Sequence, residues 1–331
     1  MRSLPFTQSF PLKLYNKSCI KFHEAIGEGI SVVYRGEING RLCAIKKYIY
    51  DDFKSIDDFY NWVRMYDSIK QSNPCIVIDI YGYSFHIISK DHIIVYIFMK
   101  LNESRDIYNY ISDNNNWKPS IKYNNQYIPK FSSDYVSYDR NDGLYWCFVK
   151  DKHEKLIIIN ELINTIKQLH NTNHIHGDLK PNNVLWDTKK QKCVLIDFDS
   201  ILSLSDQYIV KSNKLFCTMG YAPPEHYNYI SGYSTDIYSL GVSIIEMWCG
   251  SIWKSKSKSY KDHRNDVLRN LRLIEKNEPV LGKILRQCVS PNYKKRPTIH
   301  KVCSIVSNIE ISLSSTGSST GSRPSTGSGT R

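Results

Sequence analysis

The run HIHGDLKPNNVL at residues 174–185, followed by DFD at 197–199, is the densest set of residues in this chain with the types and spacing to do chemistry. A carboxylate at Asp178 can accept or orient a hydroxyl proton, an ammonium at Lys180 can neutralise a phosphoryl group in transit, and Asn183 can offer an amide oxygen to Mg²⁺. Asp197 supplies a second hard oxygen donor, the type that Mg²⁺ prefers. Asp and Asn also make turns, but a turn requires neither this Lys nor the strands that flank the run. Together the residues suit transfer of a phosphoryl group to a hydroxyl.

Such groups act only when elements hold them in place. Just upstream, KLIIINELINTIKQLH (155–170) carries apolar residues at helical spacing, and a short strand at 193–196 leads into DFD. Earlier still, VVYRGEI (32–38), RLCAIKKYI (41–49), CIVIDIYGY (75–83) and HIIVYIFM (92–99) are short β-prone runs broken by turn residues. They predict an antiparallel sheet interrupted by one helix at 56–69. TDIYSLGVSIIEMWCG (235–250) predicts a second buried helix, so the later half is mainly helical. Residues 113–150 are rich in Asn, Tyr and Ser with little periodicity and read as an insertion in a loop. The stretch 309–331 ends in a Ser/Thr/Gly run from 312 that cannot bury enough surface to offset its ordering entropy, and is expected to be a disordered tail. No repeat of solenoid or propeller length is visible.

The motif around Asp178 and Asp197 resembles the catalytic loop and magnesium segment of the eukaryotic-type protein kinase superfamily, and further members of that motif set follow in order. IGEGISVVY (26–34) resembles the glycine-rich loop, whose bare backbone N–H groups approach ATP phosphates; Ser31 stands where a third glycine is usual. By this likeness Ile26, Gly27, Glu28, Gly29, Ile30, Ser31, Val32 and Val33 line the phosphates. CAIK (43–46) is similar to the strand that places a lysine on the α- and β-phosphates, which implies that Lys46 grips them and Ala44 packs on adenine. Residues 94–99 resemble the strand and hinge between lobes, implying Tyr96 as gatekeeper and the backbone of Ile97 and Met99 as partners of adenine. CTMGYAPPE (217–225) resembles the end of an activation segment, DIYSLG (236–241) a helix start that anchors the catalytic loop, and Arg296 the partner of Glu225. The likeness spans roughly residues 20–308. It implies an α+β, two-lobed fold: a small, mainly antiparallel β lobe with one helix (about 20–100), a larger α-helical lobe (about 101–308) and an N-terminal extension at 1–19. It also implies ATP and Mg²⁺ as cofactors, Asp178 and Lys180 as catalytic residues, Asn183 and Asp197 as metal ligands, and a protein substrate laid along 222–225. Lys180, two residues after Asp178, is the Ser/Thr pattern, and Thr218 agrees with it.

Besides Ser31, three positions depart from the family pattern. No Glu lies between Glu37 and Glu103, so the small-lobe carboxylate that usually pairs with the strand lysine is missing. Trp62 aligns there, with Asp57, Asp58 or Asp67 as shorter substitutes. Gly177 replaces the Arg before the catalytic Asp, removing a cation that would read a phosphate on the activation segment. Asp199 replaces a glycine, which removes a hinge and adds a carboxylate near the metal site. Two alternatives therefore stay open: an inactive scaffold that binds nucleotide, and a small-molecule phosphotransferase of the aminoglycoside or choline kinase type, which shares H-G-D and D-F-D but lacks the 222–225, 236–241 and Arg296 features.

Composition sets the outer limits. The chain has 331 residues, 41% of them hydrophobic, enough for a sizeable core. Its formal charge of +12 favours acidic partners without choosing one, and no basic stretch is interleaved with stacking aromatics, so no nucleic-acid partner is expected. Nine singly spaced cysteines fit buried thiols in a reducing compartment, cytoplasmic or nuclear. The longest apolar run, 93–99, is far short of a membrane span, so neither signal peptide nor membrane is expected and the protein is expected to be a soluble monomer.

Overall fold

The β-prone runs of the first hundred residues form a five-stranded antiparallel sheet in the order β1-β2-β3-β5-β4, comprising β1 (Ile20–Gly27), β2 (Val32–Ile38), β3 (Arg41–Tyr50), β4 (Ile80–Ser89) and β5 (His92–Met99). In this computed structural model the described residues are 11–27, 32–50, 54–89, 92–102, 104–112, 119–123, 126–129, 152–204, 209–211, 217–250 and 259–316. Asn39 and Gly40, at φ 50° and 76°, join β2 to β3 in the two-residue turn whose twist matches that of its strands. Helix α1 (Lys54–Ser72) lies between β3 and β4 and buries Phe59, Val63, Tyr66 and Ile69 as one stripe. Phe59 packs edge-on against Tyr83 of β4, ring centroids 5.5 Å apart. Ahead of the sheet, residues 13–15 are laced to β4, with Tyr15 donating its N–H to Tyr83 O at 2.8 Å and Tyr83 to Lys13 O at 2.9 Å.

The larger lobe is built on helices α2 (Ile107–Ser112), α3 (Lys152–Asn171), α4 (Tyr233–Cys249), α5 (Tyr260–Asn277), α6 (Pro279–Cys288) and α7 (Ile299–Thr316). Between α2 and α3 sit β6 (Pro119–Tyr123) and β7 (Gln126–Pro129). Between α3 and α4 come β8 (His174–Ile175), β9 (Val184–Asp187), β10 (Lys192–Leu195), β11 (Leu202–Ser203), β12 (Ile209–Lys211) and β13 (Ile230–Gly232), paired as β10-β9, β11-β8 and β12-β13. Every residue of α4 from Thr235 to Cys249 is buried, because that helix is apolar almost all round and runs through the centre of the lobe. At its C-terminal end the ammonium of buried Lys155 on α3 donates to Trp248 O at 2.9 Å, placing a cation where the helix dipole is negative. This is the two-lobed α+β architecture that the motif order implies. Among the described residues no helix is long and apolar enough to cross a membrane.

Three sequence expectations need adjustment. The strand expected at 75–83 begins only at Ile80; Ile76, Val77 and Ile78 are buried consecutively and join β10 instead, Leu195 N donating to Ile76 O at 2.8 Å and Ile78 N to Leu195 O at 3.1 Å. An unalternating apolar triplet suits a segment covered on both sides, and here it ties the two lobes together. Within 113–150, β6 and β7 form an antiparallel hairpin in which Ile121 faces Ile128, because β-branched and aromatic residues flank a turn-prone Asn pair. The last helix continues to Thr316, into the stretch expected as tail, because the apolar series Val302, Val306, Ile309 keeps its 3.6-residue period and packs on the core. Residues 1–10, 130–151 and 317–331 lie outside the described residues.

Candidate active site

The site begins with a loop between β8 and β9 that is held from beneath by one buried carboxylate. Asp236, in the first turn of α4 and fully buried, accepts from His176 N at 2.9 Å and His170 Nε2 at 3.0 Å through Oδ2, and from Gly177 N at 3.0 Å through Oδ1. Burial opposes its ionisation, but the hydrogen bond and charge of His170 outweigh that and hold the carboxyl below its ordinary range. Gly177 has φ 78°, and a Cβ there would stand 2.3 Å from Ser200 O, so the loop turns at a point with no room for a side chain.

On the cleft side of this loop, Asp178, Lys180, Asn183 and Thr218 form a closed network. Lys180 Nζ donates to Asp178 Oδ2 at 3.0 Å and to Thr218 Oγ1 at 2.6 Å. Thr218 donates its N–H to Asp178 Oδ1 at 2.7 Å. Asn183 Nδ2 donates to Asp178 O at 2.8 Å, which leaves its amide oxygen as the end that can face a cation. Every oxygen of Asp178 is thereby held by a donor, preorganisation of the kind that positioning a nucleophile would require.

A second cluster crosses from the sheet to the segment after β10. Lys46, 6% exposed, donates to Asp197 Oδ1 at 2.6 Å and to Asp199 Oδ2 at 2.8 Å. Asp199 Oδ1 accepts from Tyr48 OH at 2.6 Å. From α1, Trp62 donates its indole N–H to Phe198 O at 2.7 Å. An aromatic column backs this segment: Trp62 stacks on Tyr66 at 6.1 Å, Tyr66 meets Phe198 at 6.1 Å, and Phe198 meets His176 at 5.8 Å. Burial pulls the Lys46 ammonium down, but the carboxylates of Asp199 and Asp197 outweigh it and hold Lys46 above its ordinary value. Burial also raises the two carboxyls; at Asp197 the charge and hydrogen bond of Lys46 bring it below its usual range, whereas Asp199 stays above, since the Asp197 carboxylate adds to the rise. The two clusters are linked through the main chain, Ile196 N donating to Asn183 O at 3.0 Å.

Strand register sorts the nucleotide-side residues. Val33, Lys46 and Ile97 lie side by side across β2, β3 and β5, and Ala44 lies opposite Met99, so these five share one face. Alternation puts Tyr96 on the other face, its ring 5.2 Å from that of Phe22, which overturns the gatekeeper expectation for Tyr96. Ile97 sits inside the ladder between β3 and β4, with its main-chain groups in strand pairing; the backbone leaves the sheet only after Met99. Ile26 and Gly27 close β1 and Val32 opens β2, flanking Glu28, Gly29, Ile30 and Ser31, which lie outside the described residues. Of the substitutes for the missing Glu, Asp57 and Asp58 fall at the start of α1, and Asp67 accepts from Gln71 Nε2 at 2.7 Å. The side chains of Asp57 and Asp58 lie outside the described residues; among the described ones the carboxylates on Lys46 are those of Asp197 and Asp199 and not that of Asp67, and Tyr48, which holds Asp199, is absent from the sequence reading. The signal for Tyr48 was available: two residues past Lys46 in a strand, it must share its face.

A profile described as the protein kinase domain matches residues 20–306. The chain is similar to the membrane-associated tyrosine- and threonine-specific cdc2-inhibitory kinase of Drosophila melanogaster, 27% identical over 150 residues that cover 44% of this chain and 27% of that protein. It is 22% identical over 329 residues to cysteine-rich receptor-like protein kinase 1 of Arabidopsis thaliana, covering 92% and 47% of the two chains. To serine/threonine-protein kinase 1 of African swine fever virus it is 28% identical over 158 residues, covering 47% and 50%. The chain thus spans between about a quarter and about half the length of these relatives.

Proposed function

This chain belongs to the protein kinase family, and from that premise we propose that it transfers the γ-phosphoryl group of Mg-ATP to serine or threonine hydroxyls of a protein substrate. The observation that carries the reading is the Lys180 ammonium joined to both Asp178 and Thr218. It puts a base for the incoming hydroxyl and a cation for the transferring group on one preorganised support. Asn183 and Asp197 have the hard oxygen donors to hold Mg²⁺, which when bound supplies charge neutralisation for the phosphates. Asp178 orients the hydroxyl and takes its proton, Lys180 offsets charge on the equatorial oxygens, and Lys46 holds the nucleotide phosphates. The adenine edge is met by backbone beyond Met99, with Ala44 and Met99 on the face beneath it; residues 26–33 cover the phosphates.

On this reading the substrate lies along 222–225, a reading supported by Glu225 being locked to Arg296 and by the apolar surface that Met219, Tyr227 and Tyr229 expose nearby in the chain. We infer an intracellular setting, cytoplasmic or nuclear, from the singly spaced cysteines. The choice of Ser/Thr over Tyr rests on Lys180 and Thr218, since one relative is named for tyrosine as well as threonine.

The test is phosphoryl transfer from labelled Mg-ATP to the protein itself and to a generic basic protein, with phospho-amino-acid analysis. Label on Ser or Thr, reduced ~10²–10⁴-fold by Asp178→Asn and by Lys46→Met, is the expected result. Label on Tyr alone overturns the hydroxyl assignment. A folded protein that transfers nothing to proteins or to aminoglycoside-type alcohols is a scaffold.

A further inference from the structure

Among the described side chains of α1 none brings a carboxylate to Lys46, yet Lys46 is buried and paired twice, with Asp197 and Asp199. We propose that Asp199, held by Tyr48 and by the Trp62 latch on Phe198, is the positioning residue for Lys46, so that the carboxylate the family usually supplies from α1 comes here from the segment after β10.

One premise and three observations converge on it. Asp197 is committed to the metal under the proposed function, on which this inference rests, so a second carboxylate must hold the ammonium when the nucleotide is bound. Asp199 Oδ2 is 2.8 Å from Lys46 Nζ, and its other oxygen is occupied by Tyr48 OH at 2.6 Å, which fixes the carboxylate plane. Tyr48 shares the Lys46 face of β3, so the two side chains that grip Asp199 come from one rigid strand. Trp62 stands on α1 where the resemblance would align the missing carboxylate, and its N–H satisfies Phe198 O at 2.7 Å, fastening the backbone directly before Asp199. The departures at 62 and 199 therefore compensate each other. A consequence is that the lysine clamp, normally internal to the small lobe, here spans the cleft from sheet to large lobe.

The experiment uses the full chain and measures ADP affinity by calorimetry, with and without Mg²⁺, beside kcat and KM for ATP, in Asp199→Gly, Asp199→Asn, Trp62→Glu and the double variant Asp199→Gly/Trp62→Glu. Asp199→Gly and Asp199→Asn are expected to weaken ADP binding at least ~10-fold even without Mg²⁺, because the loss acts through Lys46. The double variant, which returns a carboxylate from α1, is expected to recover most of that loss; a structural or metal-binding role for Asp199 would not be rescued this way. Affinity unchanged in Asp199→Gly, or lost only in the presence of Mg²⁺, or a double variant no better than Asp199→Gly while its thermal melt stays cooperative, overturns the inference. Should the wild type bind Mg-ADP with this pattern but transfer no phosphate, the proposed function falls and the role of Asp199 stands. Transfer by the wild type and equally by Asp199→Gly gives the converse, and a wild type that binds no nucleotide overturns both.

Discussion

Gly177 shows how one residue's identity can be dictated by local geometry. The resemblance suggests a lost cation at this position, read as missing regulation; the structure adds a steric reason. With φ at 78° and Ser200 O only 2.3 Å from where a Cβ would sit, any side chain strains the turn that presents Asp178. Gly177→Ala is therefore expected to lose ~1–3 kcal/mol of stability, seen as a lower urea midpoint at unchanged slope. A midpoint equal to wild type would show that the loop relaxes freely. Asp178, Lys180, Asn183, Asp197 and Lys46 were all legible as residues because their local strings are distinctive. Asp199 was legible only as an added charge, since a string cannot say which ammonium it meets.

Among the elements, α3 and α4 were legible from apolar spacing, α1 as the one helix interrupting the sheet, and β2 and β5 end where their runs end. The segment 76–78 was misassigned because a fully buried apolar triplet looks the same whether its partner is a neighbouring strand or the other lobe. The join between the 217–225 segment and the end of the lobe is a bidentate pair: Arg296 Nη2 donates to Glu225 Oε2 at 2.8 Å and Nη1 to Oε1, while Nη1 also reaches Ser234 O at 2.8 Å and Nε Ser290 O at 2.9 Å. The Arg296 side chain is fully buried and that of Glu225 nearly so. Arg296→Ala leaves Glu225 charged and unpaired in the interior, and is expected to cost ~3–5 kcal/mol of stability, measured by denaturant unfolding. A cost below ~1 kcal/mol would mean that water reaches the site and screens the pair.

For the whole molecule, stability should depend on pH through imidazoles that folding keeps neutral. Burial lowers His226 below its ordinary value near 6.5, and neither ring nitrogen has a hydrogen-bond partner among the described residues. His174 is lowered by burial as well. The unfolded chain then binds protons that the folded chain refuses, so stability is complete above about pH 6.5 and falls as pH drops through that value towards the folded pKa values. Asp236, held below its ordinary 3.8, continues the loss at lower pH. Thermal melts from pH 8 to pH 5 should show Tm declining below about 6.5, and His226→Gln should flatten that decline. A Tm constant over this range would mean that these rings are hydrated and titrate as they do unfolded.

The sequence by itself determined the family, the order of the elements and which residues are candidates for the chemistry, because each rests on short strings whose spacing is set by a local turn, strand or helix. Only the tertiary structure decided who holds Lys46. That lysine and Asp199 are 153 residues apart, in different lobes, and their meeting depends on strand register, on Tyr48 facing the same way and on Trp62 fastening Phe198. Side-chain pairing across a cleft follows from packing geometry, and no local spacing in a chain encodes it.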